Sequence, residues 1–99
     1  MNILKLSSEL SFAIEPLEKR VRLVVYNNGV ENVCRMESIK NLENFIQSGD
    51  SHLFKGRLQL YKNAANIVVE VKGEIAGVIR STEFIKLLEI AKGKEIKTL

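Results

Sequence analysis

The N-terminal part of the chain shows the two-residue alternation of apolar and polar positions that is typical of a β-strand. Leu10, Phe12 and Ile14 alternate with a serine and an alanine, which predicts a short strand with one apolar face. A second short strand is predicted over residues 3–6, which are rich in isoleucine and leucine. Pro16 follows and separates this segment from the rest of the chain, because proline restricts the backbone of its neighbour.

A tight hairpin is predicted where two runs rich in β-branched residues flank an asparagine and a glycine. The runs cover residues 21–26 and 30–36, and Asn28-Gly29 tolerates the positive φ angles of a two-residue turn. The predicted pairs on the apolar face are Leu23 with Cys34 and Val21 with Met36. The predicted pairs on the other face are Val24 with Val33, Tyr26 with Glu31, and Arg22 with Arg35. A shift of one residue would change these pairs.

Two helices are predicted from apolar positions at spacings of three and four residues. The first covers residues 39–48, with Ser38 as N-cap and Gly49 as a left-handed residue after its last turn. The second covers residues 82–92, is capped by a serine or threonine, and ends at Gly93. Its predicted buried stripe is Phe84, Ile85, Leu87, Leu88 and Ala91.

Between the helices, residues 54–80 are predicted to form a three-stranded meander. One face of the first strand, within residues 53–61, carries Phe54, Gly56, Leu58 and Leu60. A loop at residues 72–74 predicts the following pairs on the apolar face: Val71 with Ile75, Val69 with Gly77, and Ile67 with Ile79.

These elements predict an α+β fold in a single domain over residues 1–99, with residues 93–99 as a flexible tail. The expected architecture is one antiparallel sheet of five to six strands with both helices packed on one face. The order is strand, hairpin, helix, three-stranded meander and helix, and no internal repeat is visible. The opposite face of the sheet is then left for solvent or a partner.

The composition agrees with a soluble globular domain, since 45% of the 99 residues are hydrophobic and 27% are charged. Apolar runs such as residues 23–26 are far shorter than the ~20 residues of a membrane span. No signal-peptide pattern is present at the N-terminus. The single cysteine, Cys34, excludes an intramolecular disulfide and favours a reducing, cytoplasmic location.

Groups suited to catalysis are scarce. His52 and Asp50 are the only histidine and aspartate, and they lie in a predicted turn, where side chains rarely converge as a triad requires. Cys34 is interpreted as a core residue rather than a nucleophile, because neighbouring Arg35 points to the opposite face. Glycine-rich phosphate loops, calcium loops and zinc-protease helices are absent. We therefore expect no enzyme, metal or cofactor; an enzyme built from scattered groups is the alternative.

The uncovered sheet face is predicted to carry basic and tyrosine side chains. On the predicted register they are Arg20, Arg22, Tyr26, Arg35, Lys55, Arg57 and Tyr61. Arginines that contact phosphates and tyrosines that stack on bases suit single-stranded nucleic acid, and the net charge of +3 and pI near 9.1 are compatible with this. Charged outer faces also keep sheets soluble, so a merely solvated face is the other interpretation.

Valines on the same face give a second hypothesis. The residues concerned are Val24, Val33, Val68 and Val78. Contiguous apolar patches mark interfaces, and two such faces or two free edge strands can meet about a two-fold axis. The valines therefore predict a homodimer.

Together these patterns predict a small non-catalytic binding protein that self-associates. We also expect a macromolecular partner, with a protein favoured over a nucleic acid, and no membrane association. Nucleic-acid binding through the basic face is the alternative. The bias toward Ile, Lys, Glu and Asn indicates a low-GC genome. Short single-domain chains of this kind are common among accessory proteins of viruses and mobile elements, so an accessory protein in the host-cell cytoplasm is a further expectation.

Overall fold

The computed structural model describes residues 3–49 and 51–96, which form eight strands and two helices. The N-terminal sheet has the strand order β1-β2-β3-β4, with β1 at Ile3–Lys5, β2 at Leu10–Pro16, β3 at Arg20–Asn27 and β4 at Val30–Ser38. The C-terminal sheet has the order β5-β6-β7-β8, with β5 at His52–Leu53, β6 at Leu58–Asn63, β7 at Asn66–Val71 and β8 at Glu74–Arg80. Helix α1 is Ile39–Gln47 and helix α2 is Ser81–Ile96. Every strand pair is antiparallel.

The predicted single sheet of five to six strands is wrong, although the fold is α+β. The described strands divide into two sheets of four, and the helices do not share one face of one sheet. Helix α2 contacts β2 of the N-terminal sheet and also β7, β8 and α1, while α1 contacts β4. Each sheet has one apolar face, and placing α2 between them lets all the apolar surfaces share one core.

The core joins the inner faces of both sheets to the helices. We call the face of each sheet that packs into this core the inner face, and the opposite face the outer face. Phe12 of β2 and Phe84 of α2 are fully buried, and their ring centroids lie 6.0 Å apart with an interplanar angle of 24°. The other core residues come from every main element and include Leu23, Leu42, Leu60, Ile67, Val69 and Leu88. Helix α2 therefore holds the two sheets together.

The chain contains two copies of one structural unit, a four-stranded meander followed by a helix, although the sequence shows no repeat. The hairpin turns that precede the last strand of each unit have the same left-handed backbone. In the first, φ is 53° at Asn28 and 83° at Gly29; in the second, φ is 53° at Lys72 and 86° at Gly73. Positive φ at both central residues is the mark of the two-residue turn that suits the twist of hairpin strands.

The first hairpin has the predicted turn but a different register. The pair Tyr26–Glu31 is confirmed, whereas a β-bulge between Val25 and Tyr26 moves every earlier pair by one residue. The observed pairs are Val25 with Val33, Val24 with Cys34, Leu23 with Arg35, Arg22 with Met36 and Val21 with Glu37. A bulge places one extra residue on one strand, so side chains beyond it exchange faces.

The second hairpin carries a bulge at the equivalent place, between Val69 and Glu70. The predicted pairs Ile67–Ile79 and Val69–Gly77 are confirmed. The turn has two central residues rather than three, so Val71 pairs with Glu74, and Ile75 pairs with Glu70. Ile75 therefore leaves the predicted apolar face, and 71% of its surface is exposed.

Helix α1 agrees with its prediction, since the Ser38 side chain accepts a hydrogen bond from the Asn41 N–H at 3.1 Å. Its C-cap is Ser48, which is extended, and Gly49 does not adopt the predicted left-handed conformation. Helix α2 continues through Gly93 to Ile96. The tail expected at 93–99 therefore begins as helix, and residues 97–99 lie outside the described part of the chain.

The predicted strand over residues 53–61 is interrupted. Strand β5 ends at Leu53 and β6 begins at Leu58, because Phe54 and Gly56 have φ angles of 75° and 112°. The predicted alternation of burial is interrupted as well, because Phe54 and Leu58 are buried but the three residues between them, Gly56 included, are exposed. A buried phenylalanine in a left-handed conformation is a local strain that the surrounding structure must hold.

Candidate functional site

The seven residues predicted to bind nucleic acid lie on three separate surfaces. Arg22 and Tyr26 are on the outer face of the N-terminal sheet. Arg20, at the exposed start of β3, lies two residues before Arg22 and is therefore on the same face. Tyr61 is on the outer face of the C-terminal sheet, where it pairs with Val68. The remaining three, Arg35, Lys55 and Arg57, line a cleft between the two sheets. The predicted single basic face is therefore not present.

The pairing of Arg22 with Arg35 is wrong. Arg22 pairs with Met36 on the outer face, whereas Arg35 pairs with Leu23, which belongs to the core. The two guanidinium groups point to opposite faces of the N-terminal sheet. They cannot contact the same stretch of phosphate backbone as the sequence predicts.

Arg22 lies in a network of carboxylates. Its Nη2 lies 2.8 Å from Glu15 Oε1, and its Nη1 lies 2.8 Å from Glu31 Oε1. The Tyr26 hydroxyl donates to the other oxygen of Glu15. The Arg22 hydrogen bond holds the pKa of Glu31 below its ordinary value, and the two carboxylates raise the pKa of Arg22. With both carboxylates bound to it, Arg22 is satisfied within the chain rather than presented to a ligand.

The Tyr26 hydrogen bond predicts a loss of stability in alkali. Its acceptor, Glu15, raises the Tyr26 pKa above the ordinary value, so the unfolded chain releases this proton first as the pH rises. The stability that this hydrogen bond contributes is complete below the Tyr26 pKa of the unfolded chain, which is about 10. It is lost as the pH rises through the Tyr26 pKa of the folded protein. We expect the free energy of unfolding, measured in urea between about pH 9 and about pH 11, to fall less steeply for Tyr26→Phe than for the native protein. Parallel pH profiles for the two proteins would contradict this assignment.

Two of the four predicted interface valines are not available to a partner. Val24 is fully buried on the outer face, on the same strand and face as Arg22 and Tyr26, and Val33 is 6% exposed in the core. Val68 and Val78 pair with each other on the outer face of the C-terminal sheet. Val68 is half-buried, and Val78 is 54% exposed.

Strand β8 supplies the most exposed apolar surface near this valine pair, and the sequence prediction missed part of it. Ile75 is 71% exposed because the bulge turns it to the outer face, beside Glu70. Within the described residues, β8 pairs only with β7, so its other edge has no strand partner. No local sequence signal places Ile75 outside, because the bulge depends on the pairing of β8 with β7.

The cleft between the sheets is about 300 Å³ in volume and is formed by β4 and the interrupted segment before β6. Its lining residues are Glu31, Asn32, Val33, Cys34, Arg35, Lys55, Gly56, Arg57 and Leu58. The guanidinium of Arg35 lies 4.8 Å from the ring centroid of Phe54, and its Nη1 donates to the Lys55 carbonyl at 3.1 Å. Arg35 thus fastens the strained segment to β4.

His52 and Cys34, the residues weighed for catalysis, are far from a triad arrangement. The His52 ring stacks on Tyr61 with centroids 4.5 Å apart, and its Nε2 lies 2.7 Å from Gln59 Oε1. Cys34 is exposed on the outer face rather than in the core. Asp50 lies outside the described residues. Within residues 3–49 and 51–96, no group of three His, Cys, Asp or Glu side chains is arranged to hold a metal ion.

Neither of the two described helices is long and apolar enough to cross a membrane. Comparison of the chain with protein-family models, with curated proteins and with solved structures gives no match. Function must therefore be derived from the surfaces of the chain itself, such as the unpaired edge of β8 and the inter-sheet cleft.

Proposed function

We propose that this chain is a non-catalytic binding protein that self-associates, with β8 of one copy pairing in antiparallel fashion with β8 of a second copy. The observation that carries the proposal is the open edge of β8, flanked by the exposed side chains of Ile75 and Val78. An exposed apolar edge strand is a template for pairing with another chain. Two copies that are related by a two-fold axis at such an edge can form one continuous sheet.

The other sheet edges are less suited to pairing. Strand β1 has three residues and β5 has two. Strand β4 is long, but the segment around Phe54 and Lys55 lies beside it. Natural proteins protect open edges with lysine, proline, short strands or bulges. Strand β8 is seven residues long and has no lysine or proline, although it carries the bulge opposite Val69 and Glu70.

A second copy suits this edge because the exposed apolar side chains of β8 lie on one face. The bulge brings Ile75 and Val78 to the same outer face, opposite Glu70 and Val68 of β7. Two β8 strands that pair in antiparallel fashion about a two-fold axis bring these side chains of both copies together on one face of the joined sheet. Apolar cross-strand pairs of this kind stabilise a sheet.

Analytical ultracentrifugation over a concentration series tests the proposal. The native protein should sediment as a dimer, and the Ile75→Glu/Val78→Glu variant should be a monomer at the same concentrations, because the new carboxylates repel across the axis. Val30→Glu is the matched control, since Val30 is 69% exposed at the start of β4. A monomeric native protein, or a dimer that survives the double substitution, would overturn the proposal.

A further inference from the structure

We infer that the cleft between the two sheets binds the phosphate backbone of a single-stranded nucleic acid, with His52 and Tyr61 as the stacking platform for a base. This site is distinct from the β8 edge and does not depend on self-association. The site uses some of the basic residues predicted to bind nucleic acid, but it places them in a groove rather than on a sheet face.

The cations of the cleft have no acidic partners. Among the described residues, Arg35, Lys55 and Arg57 form no ion pair, whereas Arg22 and Lys92 elsewhere each meet carboxylates. Clustered cations without counter-charges repel one another, so the cleft is a site of positive potential that an anion would relieve. Arginine and lysine clusters of this kind are the ordinary contacts to phosphate.

The one carboxylate in the lining does not cancel this charge. Glu31 lines the cleft, but its Oε1 is 2.8 Å from Arg22 Nη1 on the outer face. At the same rim, Lys72 Nζ donates to Asn32 Oδ1 at 3.0 Å. Lys72 therefore adds a fourth cation, which is not among the basic residues predicted from the sequence.

The shape of the cleft suits an extended chain. The positive φ angles at Phe54 and Gly56 bend the segment between β5 and β6 beside β4, so the cleft has a strand on one side and a loop on the other. The cations come from both sides, with Arg35 on β4 and Lys55 and Arg57 on the loop. A positively charged groove that follows a backbone is typical of proteins that bind single strands.

An aromatic platform lies next to the cleft. The His52 and Tyr61 rings are parallel within 1°, and His52 is exposed. Gln59 connects this stack to the cleft, because its Nε2 donates to the Gly56 carbonyl at 3.0 Å while its Oε1 lies 2.7 Å from His52 Nε2. The Tyr61 hydroxyl donates to Glu70 Oε1 at 2.7 Å, which fixes the orientation of the ring. A base can stack on the free face of the His52 ring while its phosphates occupy the cleft. This arrangement favours nucleic acid over an acidic peptide, which has no base to stack.

Fluorescence anisotropy with a labelled oligothymidylate of about 12 nucleotides, repeated over a salt series, tests the site. Lys55→Glu/Arg57→Glu should weaken binding more than tenfold and reduce the salt slope by roughly 0.7 for each lost phosphate contact. Lys40→Glu/Lys86→Glu, two exposed helix positions, makes the same change in net charge and should alter affinity less than threefold. His52→Ala should weaken binding about tenfold with an unchanged salt slope, because it removes stacking rather than a phosphate contact.

Circular dichroism spectra and thermal melts of each variant establish that it is folded. No binding by the native protein at low salt would overturn the inference. Equal loss in the two charge-reversal variants would show that only net charge matters and would also overturn it. Competition by polyglutamate as effective as that by unlabelled oligothymidylate would assign the cleft to acidic peptides instead.

Discussion

Replacing Gly77 by alanine is expected to lower the free energy of unfolding by about 1–3 kcal/mol. A Cβ atom at this position would lie 2.7 Å from the Cβ of Leu6, 3.0 Å from its carbonyl oxygen and 3.1 Å from its Cα. Two of these three atoms are backbone, so a change of side-chain rotamer cannot relieve the contact. Leu6 follows β1 in the N-terminal sheet and Gly77 lies in β8 of the C-terminal sheet, so the substitution would push the two sheets apart.

Urea denaturation at one fixed protein concentration measures this effect, because self-association makes stability depend on concentration. Gly93→Ala is the matched control. A Cβ at Gly93 meets no heavy atom within 4 Å, and alanine in a helix is favoured over glycine by about 0.5–1 kcal/mol. The two Gly→Ala changes should therefore have opposite signs. Equal stability of Gly77→Ala and the native protein would show that Leu6 does not pack on β8 this closely.

Truncating Phe84 to alanine should cost about 3–5 kcal/mol of stability, the range for a large aromatic side chain removed from a core. Phe84 is fully buried in α2 and stacks on Phe12 of β2. Its loss would leave a cavity where the helix meets the N-terminal sheet, and neighbouring side chains fill such space only in part. Thermal and urea unfolding of Phe84→Ala should both show the loss, and a variant too unstable to fold would agree with the upper end of the range.

Ile85→Ala separates this effect from a general effect on the helix. Ile85 is the next residue of α2 and is 36% exposed, so it contributes little to the core. We expect a change below about 1 kcal/mol, since alanine also has the higher helix propensity. Similar losses for Ile85→Ala and Phe84→Ala would contradict the placement of α2 between the sheets.

Part of the candidate chemistry could be predicted from residue types alone. Arg35, Lys55 and Arg57 belong to the predicted basic set, and they do line one cleft. Their convergence could not be predicted, because it depends on how β4 packs against a segment with two left-handed residues. The same packing separates Arg22 from them and provides it with two carboxylates. The sequence therefore predicted which cations could bind a ligand, while tertiary contacts decided which of them lack a carboxylate partner.

The division of the interface valines has a similar cause. Val24 and Val33 look equivalent to Val68 and Val78 in the sequence, yet the first two are buried. The bulge in the first hairpin shifts the pairing by one residue and so moves Val33 to the inner face, whereas Val24 stays on the predicted outer face and is buried there. A bulge depends on the partner strand as well as on local preference, so local patterns placed the turns but not the faces.

Features whose physical cause lies within a few residues could be predicted from the sequence. The Asn28-Gly29 turn follows from the tolerance of both residues for positive φ, and the start of α1 follows from the Ser38 cap. The buried positions of α2 follow from spacings of three and four residues, although Ile85, predicted to be buried with them, is exposed. The remaining features depend on tertiary contacts: the division into two sheets, the position of α2 between them, and the cleft where they meet. These features depend on contacts between residues far apart in the chain, which have no local signature because they form only when complete apolar faces pack together.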